Sequence, residues 1–401
     1  MKKKNISSLN PVEFTKKQPL RNERIANTPA KPFPPLESYH ANALAKALHP
    51  KKQFVKISEI KALSADVKTY TLVPDTDKGT QSLAYFSAGQ YLCVNLTIGN
   101  ARLSRPYSLC SSPRESLEGK YRLTIKRVDN GLATNYILDN WKTGDEVELS
   151  APLGTFTYQP LRDSQNLIGI AGGSGITPFL SLAHAIADGD EDARLTLLYG
   201  SRTKEDILFN EEFDQIAKSC DKVRVINVLS DENVKGCEKG FITAELIKKY
   251  APESGDYSLF ICGPQAMYEF VDKEIASLGL RRKFIRHELF GEYHNPGKNA
   301  DYTAPDTDTV RITVKARDRK DIIEASVNDT ILVSLEKNGI SVPAHCRSGE
   351  CGWCHSKIVS GEVYVPQSVD GRRLADFDYG YIHPCCTFPL SDIELVVYPE
   401  K

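Results

Sequence analysis

With 51 Lys and Arg against 52 Asp and Glu in 401 residues, the chain carries a formal net charge of -1, which gives no general attraction for nucleic acid or an anionic membrane surface. Its length suits two to three domains, each able to bury a core of its own. No apolar run approaches the roughly 18 residues of a membrane span, and the basic start Met1-Lys2-Lys3-Lys4-Asn5 leads into no apolar signal core, so a cytoplasmic protein is expected.

Residues 1–52 stand apart as a basic, Pro-containing extension. Its first fifty residues hold nine Lys or Arg against three Glu, with the run Pro29-Ala30-Lys31-Pro32-Phe33-Pro34-Pro35. That composition predicts mostly irregular chain. One short helix is expected over 37–48, where apolar residues recur on a single face, and packing on the next domain is its expected role.

From 53 to 160 the pattern changes to short strands, predicted over 54–60, 67–73, 91–98, 121–128 and 146–150, with turns at Gly79, Gly89, Gly99 and Gly144. Short strands without long helices imply a small antiparallel β-barrel. Inside it lie Arg105-Pro106-Tyr107-Ser108 and, after the next strand, Gly131-Leu132-Ala133-Thr134. An Arg fork can hold a phosphate, an aromatic ring can stack on a planar cofactor, and a turn entering a helix presents N–H groups to an anion. Alone, each signal is weak, because an R-x-Y-S segment is more often a structural edge.

Between 161 and 291 strands and helices alternate, which predicts an α/β parallel sheet with helices on both faces. Its first strand ends in Gly172-Gly173-Ser174-Gly175-Ile176-Thr177-Pro178, a glycine loop running into a helix. Such a loop can receive a dinucleotide pyrophosphate. It is neither the G-x-G-x-x-G fingerprint, since Pro178 replaces the third glycine, nor a P-loop, since no Gly-Lys-Ser/Thr closes it. A later strand ends in Cys262-Gly263-Pro264, at the sheet edge where ligands of such folds bind.

Residues 292–308 are rich in Pro, Gly, Asn and Asp and read as a linker to a last domain, 309–401. There a small mixed sheet with one helix, expected over 331–338, supports His345-Cys346-Arg347-Ser348-Gly349-Glu350-Cys351-Gly352-Trp353-Cys354 and the distant pair Cys385-Cys386. The spacing C-x4-C-x2-C with one remote Cys is that of a plant-type [2Fe-2S] centre. A zinc site is the competing reading, but zinc ribbons pair two short Cys hairpins and this chain has one three-Cys loop. Adjacent side chains point in different directions, so only one of Cys385 and Cys386 should reach the cluster. Ten cysteines in a chain of this length otherwise read as reduced thiols of a reducing compartment.

Taken in order, R-x-Y-S, G-x-x-T, G-G-x-G-I-T-P, C-G-P and the cluster spacing over residues 53–401 resemble the ferredoxin-NADP reductase superfamily carrying a C-terminal plant-type ferredoxin domain. Oxygenase reductases of the phthalate dioxygenase reductase type and hybrid-cluster-protein reductases are most similar. The resemblance implies a multidomain protein: an antiparallel β-barrel flavin domain, an α/β nicotinamide nucleotide domain and an α+β, ferredoxin-like (β-grasp) iron-sulfur domain. It implies that Arg105, Tyr107 and Ser108, with Pro106 between them, bind flavin, with Arg105 on phosphate and Ser108 near ring N5. Gly131, Leu132, Ala133 and Thr134 would hold the flavin phosphate.

By the same resemblance Gly172, Gly173, Ser174, Gly175 and Thr177 bind the nicotinamide cofactor, Cys262, Gly263 and Pro264 border its reactive ring, and Phe290 packs beside the flavin. The register before Pro389-Leu390-Ser391-Asp392 assigns Cys385, not Cys386, as the fourth ligand beside Cys346, Cys351 and Cys354. NADPH-preferring relatives place Ser-Arg where this chain has Ser230-Asp231-Glu232, and two carboxylates repel a 2'-phosphate, so NADH is expected, with Arg202 as a partial counterweight. FAD is expected, with FMN the alternative, since R-x-Y-S serves both.

The implied activity is electron transfer from NADH through flavin to the cluster and on to an unidentified protein acceptor, with no dedicated catalytic side chain beyond Ser108, Cys262 and Phe290 beside the flavin. A self-contained flavin reductase of a small substrate and a redox sensor are the competing readings.

Overall fold

The computed structural model describes residues 11–28, 35, 38–291, 293 and 296–398. Its N-terminal unit holds two helices, α1 (Pro11–Ala26) and α2 (His40–Leu48). Helix α1 corrects the expectation of mostly irregular chain. Nine of its 16 residues are Glu, Lys, Arg, Gln, Leu or Ala, all good helix formers, and every side chain described from Thr15 onward is exposed. Helix α2 forms where its apolar spacing predicts, yet none of its side chains is buried. The Pro-rich run falls almost wholly outside the described residues.

From Leu48 onward the chain is one compact unit. Strands β1 (Gln53–Ser64), β2 (Val67–Pro74), β3 (Tyr91–Ile98), β4 (Ala101–Ser108), β5 (Tyr121–Lys126) and β6 (Glu146–Leu149) form an antiparallel sheet in the order β4-β3-β6-β1-β2-β5. A bridge from Leu109 to Leu123 brings its two ends together, closing it into the expected barrel. Tyr70, Leu72, Leu92, Val94, Leu123 and Ile125 fill the interior. Helix α3 (Pro113–Leu117) precedes β5, and α4 (Leu132–Asn140) follows it.

The second domain alternates as its sequence predicts: β7 (Asn166–Gly172), α5 (Thr177–Ala187), β8 (Arg194–Ser201), α6 (Asn210–Ser219), β9 (Val223–Leu229), β10 (Glu238–Lys239), α7 (Ala244–Tyr250), β11 (Ser258–Cys262), α8 (Gln265–Ala276) and β12 (Ile285–Glu288). All six strands are parallel, in the order β10-β9-β8-β7-β11-β12. Strands β7, β8 and β11 are apolar on both faces because helices cover both. The order reverses beside β7, so the crevice at its C-terminal end is the topological switch point. Barrel and sheet are locked together by Phe156, which packs edge-on against Phe179 and Phe260. Beside it, buried Arg286 of β12 makes a bidentate pair with Asp163, at 2.9 and 2.6 Å.

The last domain comprises β13 (Thr309–Ala316), β14 (Arg319–Ser326), α9 (Ile331–Lys337), β15 (Ser356–Ser360), β16 (Val363–Tyr364), α10 (Leu374–Tyr379), β17 (Tyr381–Ile382), β18 (Phe388–Pro389) and β19 (Ile393–Val396). Five strands form a mixed sheet in the order β14-β13-β19-β15-β17, with β13 and β19 parallel. Helix α9 packs Ile331 and Leu335 on this sheet. Part of the preceding linker also packs here: Tyr302 meets Tyr364 edge to face at 5.0 Å, and Tyr364 donates to Asp301 at 2.8 Å. No helix among the described residues is long and apolar enough to cross a membrane, and all ten cysteines are free thiols.

Candidate functional site

Strand β7 delivers Gly172 to the switch point, a single 3-10 turn covers Gly173–Ile176, and α5 begins at Thr177. Two side chains hold this turn: Thr177 Oγ1 donates to the Ser174 carbonyl and the Tyr199 hydroxyl to the Gly173 carbonyl, both at 3.0 Å. A Cβ on Gly175 would stand 2.2 Å from the Cys262 carbonyl oxygen, so only glycine lets the two loops meet. A Cβ on Gly172 would likewise stand 3.0 Å from Pro264 Cδ. The glycine loop and Cys262-Gly263-Pro264, separate motifs in the sequence, are therefore face to face.

Around this contact the side chains are desolvated. Burial pushes the Cys262 thiol well up, and the neighbouring Glu288 carboxyl pushes it further. The Tyr268 hydroxyl accepts from Gly263 N at 3.0 Å and donates to the Glu288 carbonyl. Glu288 itself is buried, its carboxyl held well above the usual carboxylate range by burial and then by Glu350, and its Oε2 makes no hydrogen bond among the described residues. Two residues on, Phe290 packs edge to face against Tyr91 of β3 at 5.0 Å. Glu288 was not singled out from sequence; the only signal was its place two residues before Phe290.

On the barrel, Arg105-Pro106-Tyr107-Ser108 closes β4, paired with β3 so that Val94 faces Arg105 and Tyr91 faces Ser108. Strand alternation puts Arg105 and Tyr107 on one face. Arg105 Nη1 donates to Ser104 O at 3.1 Å and to Glu336 of α9 at 3.2 and 3.3 Å. Burial pushes the Tyr107 phenol up. Gly131 caps α4, and Thr134 Oγ1 accepts from Val128 N at 3.2 Å. Ala133 is buried beneath the turn while Leu132 is exposed. Lys126, at the end of β5, has Nζ 3.8 Å from the point where a Gly173 Cβ would stand. No sequence motif marks this cation at the mouth of the glycine loop, because it ends a strand and belongs to no loop pattern.

Arg202 lies at the end of β8, on the same sheet edge, with 80% of its side chain exposed. Its Nε donates to Asp231 Oδ2 at 3.1 Å, and the next carboxylate, Glu232, accepts from Lys204 N at 2.9 Å. The two predicted opponents in coenzyme choice are thus paired with each other.

In the last domain Cys346, Cys354 and Cys385 are buried and Cys351 is exposed. Cys354 Sγ lies 3.4 Å from Cys385 Sγ. The Cys346 thiol also adjoins those of Cys351 and Cys385. Two backbone donors also point at these sulfurs, Cys351 N to Cys346 Sγ at 3.4 Å and Trp353 N to Cys351 Sγ at 3.5 Å. Gly349 has φ +85° and its Cβ would stand 2.2 Å from Val369 O, which requires glycine. Cys386 Sγ donates to the His383 carbonyl at 3.5 Å and also neighbours the Cys385 thiol, whose side chain, with burial, pushes the Cys386 thiol up. Among the described residues no three His, Cys, Asp or Glu side chains are grouped to hold a single metal ion. Four thiols linked in series, with N–H groups aimed at the sulfurs, suit the four-thiolate set of a two-iron cluster.

The sequence profile of the oxidoreductase FAD-binding domain matches residues 54–158, that of the oxidoreductase NAD-binding domain 170–273, and that of the 2Fe-2S iron-sulfur cluster binding domain 314–390. The chain belongs to the ferredoxin-NADP reductase superfamily, with a C-terminal [2Fe-2S] domain. This reductase is 29% identical over 311 residues to NADH oxidoreductase HCR of Escherichia coli (strain K12), covering 77% of this chain and 88% of that protein. It is 26% identical over 354 residues to one of the subunits of 1,2-phenylacetyl-CoA epoxidase from the same organism, covering 86% and 97%. Its fold matches the solved structure of phthalate dioxygenase reductase with a TM-score of 0.63 and 26% identity, over 86% of this chain and 98% of that one. The reductase is accordingly an oxidoreductase with FAD-binding, NAD-binding and [2Fe-2S] domains.

Proposed function

We propose that this protein is an NADH-dependent reductase that supplies electrons from its cluster to a separate protein, an oxygenase component or a hybrid-cluster-type acceptor. The observation that carries the proposal is adjacency. The nucleotide loops lead through Glu288 to Phe290, Phe290 packs on Tyr91 of the barrel, and Cys93 of the same strand lies with its Sγ 3.9 Å from the His345 carbonyl of the cluster loop. When bound, the flavin supplies hydride acceptance and the cluster single-electron acceptance.

The chain's own residues bind and orient. Gly172, Gly173, Ser174, Gly175 and Thr177 present backbone N–H groups to the pyrophosphate, aided by Lys126. Cys262, Gly263 and Pro264 border the nicotinamide, and Phe290 packs beside the flavin. Arg105, Tyr107 and Ser108 bind flavin together with the Gly131 to Thr134 turn, and FAD is favoured by the matching domain profile. Cys346, Cys351, Cys354 and Cys385 hold the cluster. Asp231 engages Arg202, so the cation that could receive a 2'-phosphate here is already paired with a carboxylate, which supports NADH over NADPH. Relatives named as reductase components, including the glycine betaine monooxygenase reductase subunit of Pseudomonas aeruginosa, support a protein acceptor. Ten free thiols, four of them cluster ligands, suit the cytoplasm.

An anaerobic absorbance titration tests this. NADH should bleach both flavin and cluster bands at stoichiometric addition, and NADPH should do so far more slowly. Absence of a flavin band overturns the reading. Steady turnover of a small substrate with no protein acceptor would favour the self-contained enzyme instead.

A further inference from the structure

One carboxylate joins the flavin motif to the cluster loop. Arg347 directly follows the ligand Cys346 in a left-handed conformation, φ +61°, and its side chain is only 1% exposed. It donates to Glu336 through both ends of its fork, Nη1 to Oε1 at 2.7 Å and Nη2 to Oε2 at 3.0 Å. The same two oxygens accept from Arg105 Nη1 at 3.3 and 3.2 Å, and Arg347 Nη1 also reaches the Ser104 carbonyl of β4 at 3.4 Å. Nothing in the cluster spacing or in R-x-Y-S announces this contact, because 231 residues separate Arg105 from Glu336.

Two arginines share one buried carboxylate, so the triad carries a net positive charge in a place with little water. Desolvated charge of this kind persists where geometry is rigid and a counter-charge is near. Two such counter-charges are implied, the flavin phosphate expected at Arg105 and the anionic thiolates beside Arg347. The surrounding interface is close: a Cβ on Gly339, just beyond α9, would stand 2.9 Å from the Asn100 carbonyl at the β3–β4 turn. Bidentate Arg–carboxylate geometry fixes orientation as well as distance.

We propose that Glu336 is a positioning residue for electron transfer, orienting the flavin-motif arginine and the cluster loop against each other so that the cluster is held at its working distance from the flavin. This rests on the functional reading above. Loss of the Glu336 charge should let Arg347 and the cluster loop shift together, slow the passage of electrons to the cluster, and leave an unbalanced positive charge that makes the cluster easier to reduce.

The test uses the full holoprotein and Glu336→Gln. Stopped-flow absorbance should show flavin reduction by NADH within twofold of the parent protein, cluster reduction at least tenfold slower, and a cluster midpoint potential shifted upward in a redox titration. Glu336→Asp keeps the charge on a shorter arm, so it should restore the potential and only part of the rate; it also serves if Glu336→Gln does not fold. Unchanged cluster-reduction rate and potential in a folded, fully loaded Glu336→Gln protein overturn the proposal, as does a loss confined to melting temperature. Failure of NADH to reduce the cluster in the parent protein would instead defeat the functional reading on which it stands.

Discussion

The nucleotide loops and the cluster loop are held by different means. At the nucleotide end the contact is backbone on backbone, Gly175 against the Cys262 carbonyl, with one threonine and one tyrosine fixing the turn. At the cluster end side chains do most of the holding: Cys354 Sγ lies against Cys385 Sγ, and Arg347 reaches Glu336 and the barrel, although Gly349 also meets the Val369 carbonyl closely. A backbone contact rejects any added atom, whereas a side-chain contact rejects the loss of one chemical group and tolerates much else. The two ends should therefore fail in opposite ways when altered.

The largest effect is expected at the thiols. Cys385→Ser should leave the protein without a stable [2Fe-2S] spectrum while NADH still reduces the flavin. Cys386→Ser should retain cluster absorbance and electron paramagnetic resonance, losing only about 1 kcal/mol of stability through its buried contacts. Retention of the cluster in the first variant and its loss in the second would reverse the assignment.

Next comes Gly175→Ala, whose single methyl must push the glycine loop away from Cys262. A displacement of about 1 Å at a reacting site can lower the rate a hundredfold, so kcat/KM for NADH should fall by about that factor with flavin content unchanged. Wild-type kinetics would show that the loops need not touch.

A smaller change is expected from Asp231→Ser, which releases Arg202 and removes a carboxylate. The ratio of kcat/KM for NADPH to that for NADH should rise about tenfold, equal to roughly 1.4 kcal/mol.

The smallest concerns Glu288, between the two ends. Its carboxyl titrates above the usual range, so it stabilises the fold in its protonated form at low pH and that stabilisation is lost as pH rises through the raised value. Glu288→Gln stays neutral throughout. Its melting temperature should exceed that of the parent by about 2 to 4 °C at pH 8 and by less at pH 5; an equal difference at both would exclude the titration.

Much of this architecture was legible before any coordinates. Strand β3 falls on its predicted residues, and β2 and α9 end within one residue of theirs, because apolar periodicity and flanking Gly or Pro are local properties of the chain. Helix α1 was missed for the opposite reason: it forms without an apolar stripe, and composition near prolines read as irregular. Helix α10 and strand β17 were missed as well, being only six and two residues long.

Residue identity and spacing by themselves pointed to the three domains, the glycine and C-G-P loops, and the candidate cluster thiols, with Cys385 preferred to Cys386 by the register before Pro389, since those constraints act over a few consecutive residues. Tertiary structure alone decided what stands opposite them. It turned Cys386 toward His383, tied Arg202 to Asp231, brought Lys126 to the glycine loop, buried Glu288 beside Cys262, and gave Arg105 a partner in Glu336. Each of these depends on charge, burial or close approach between segments far apart in the chain, and no local pattern records such a distance.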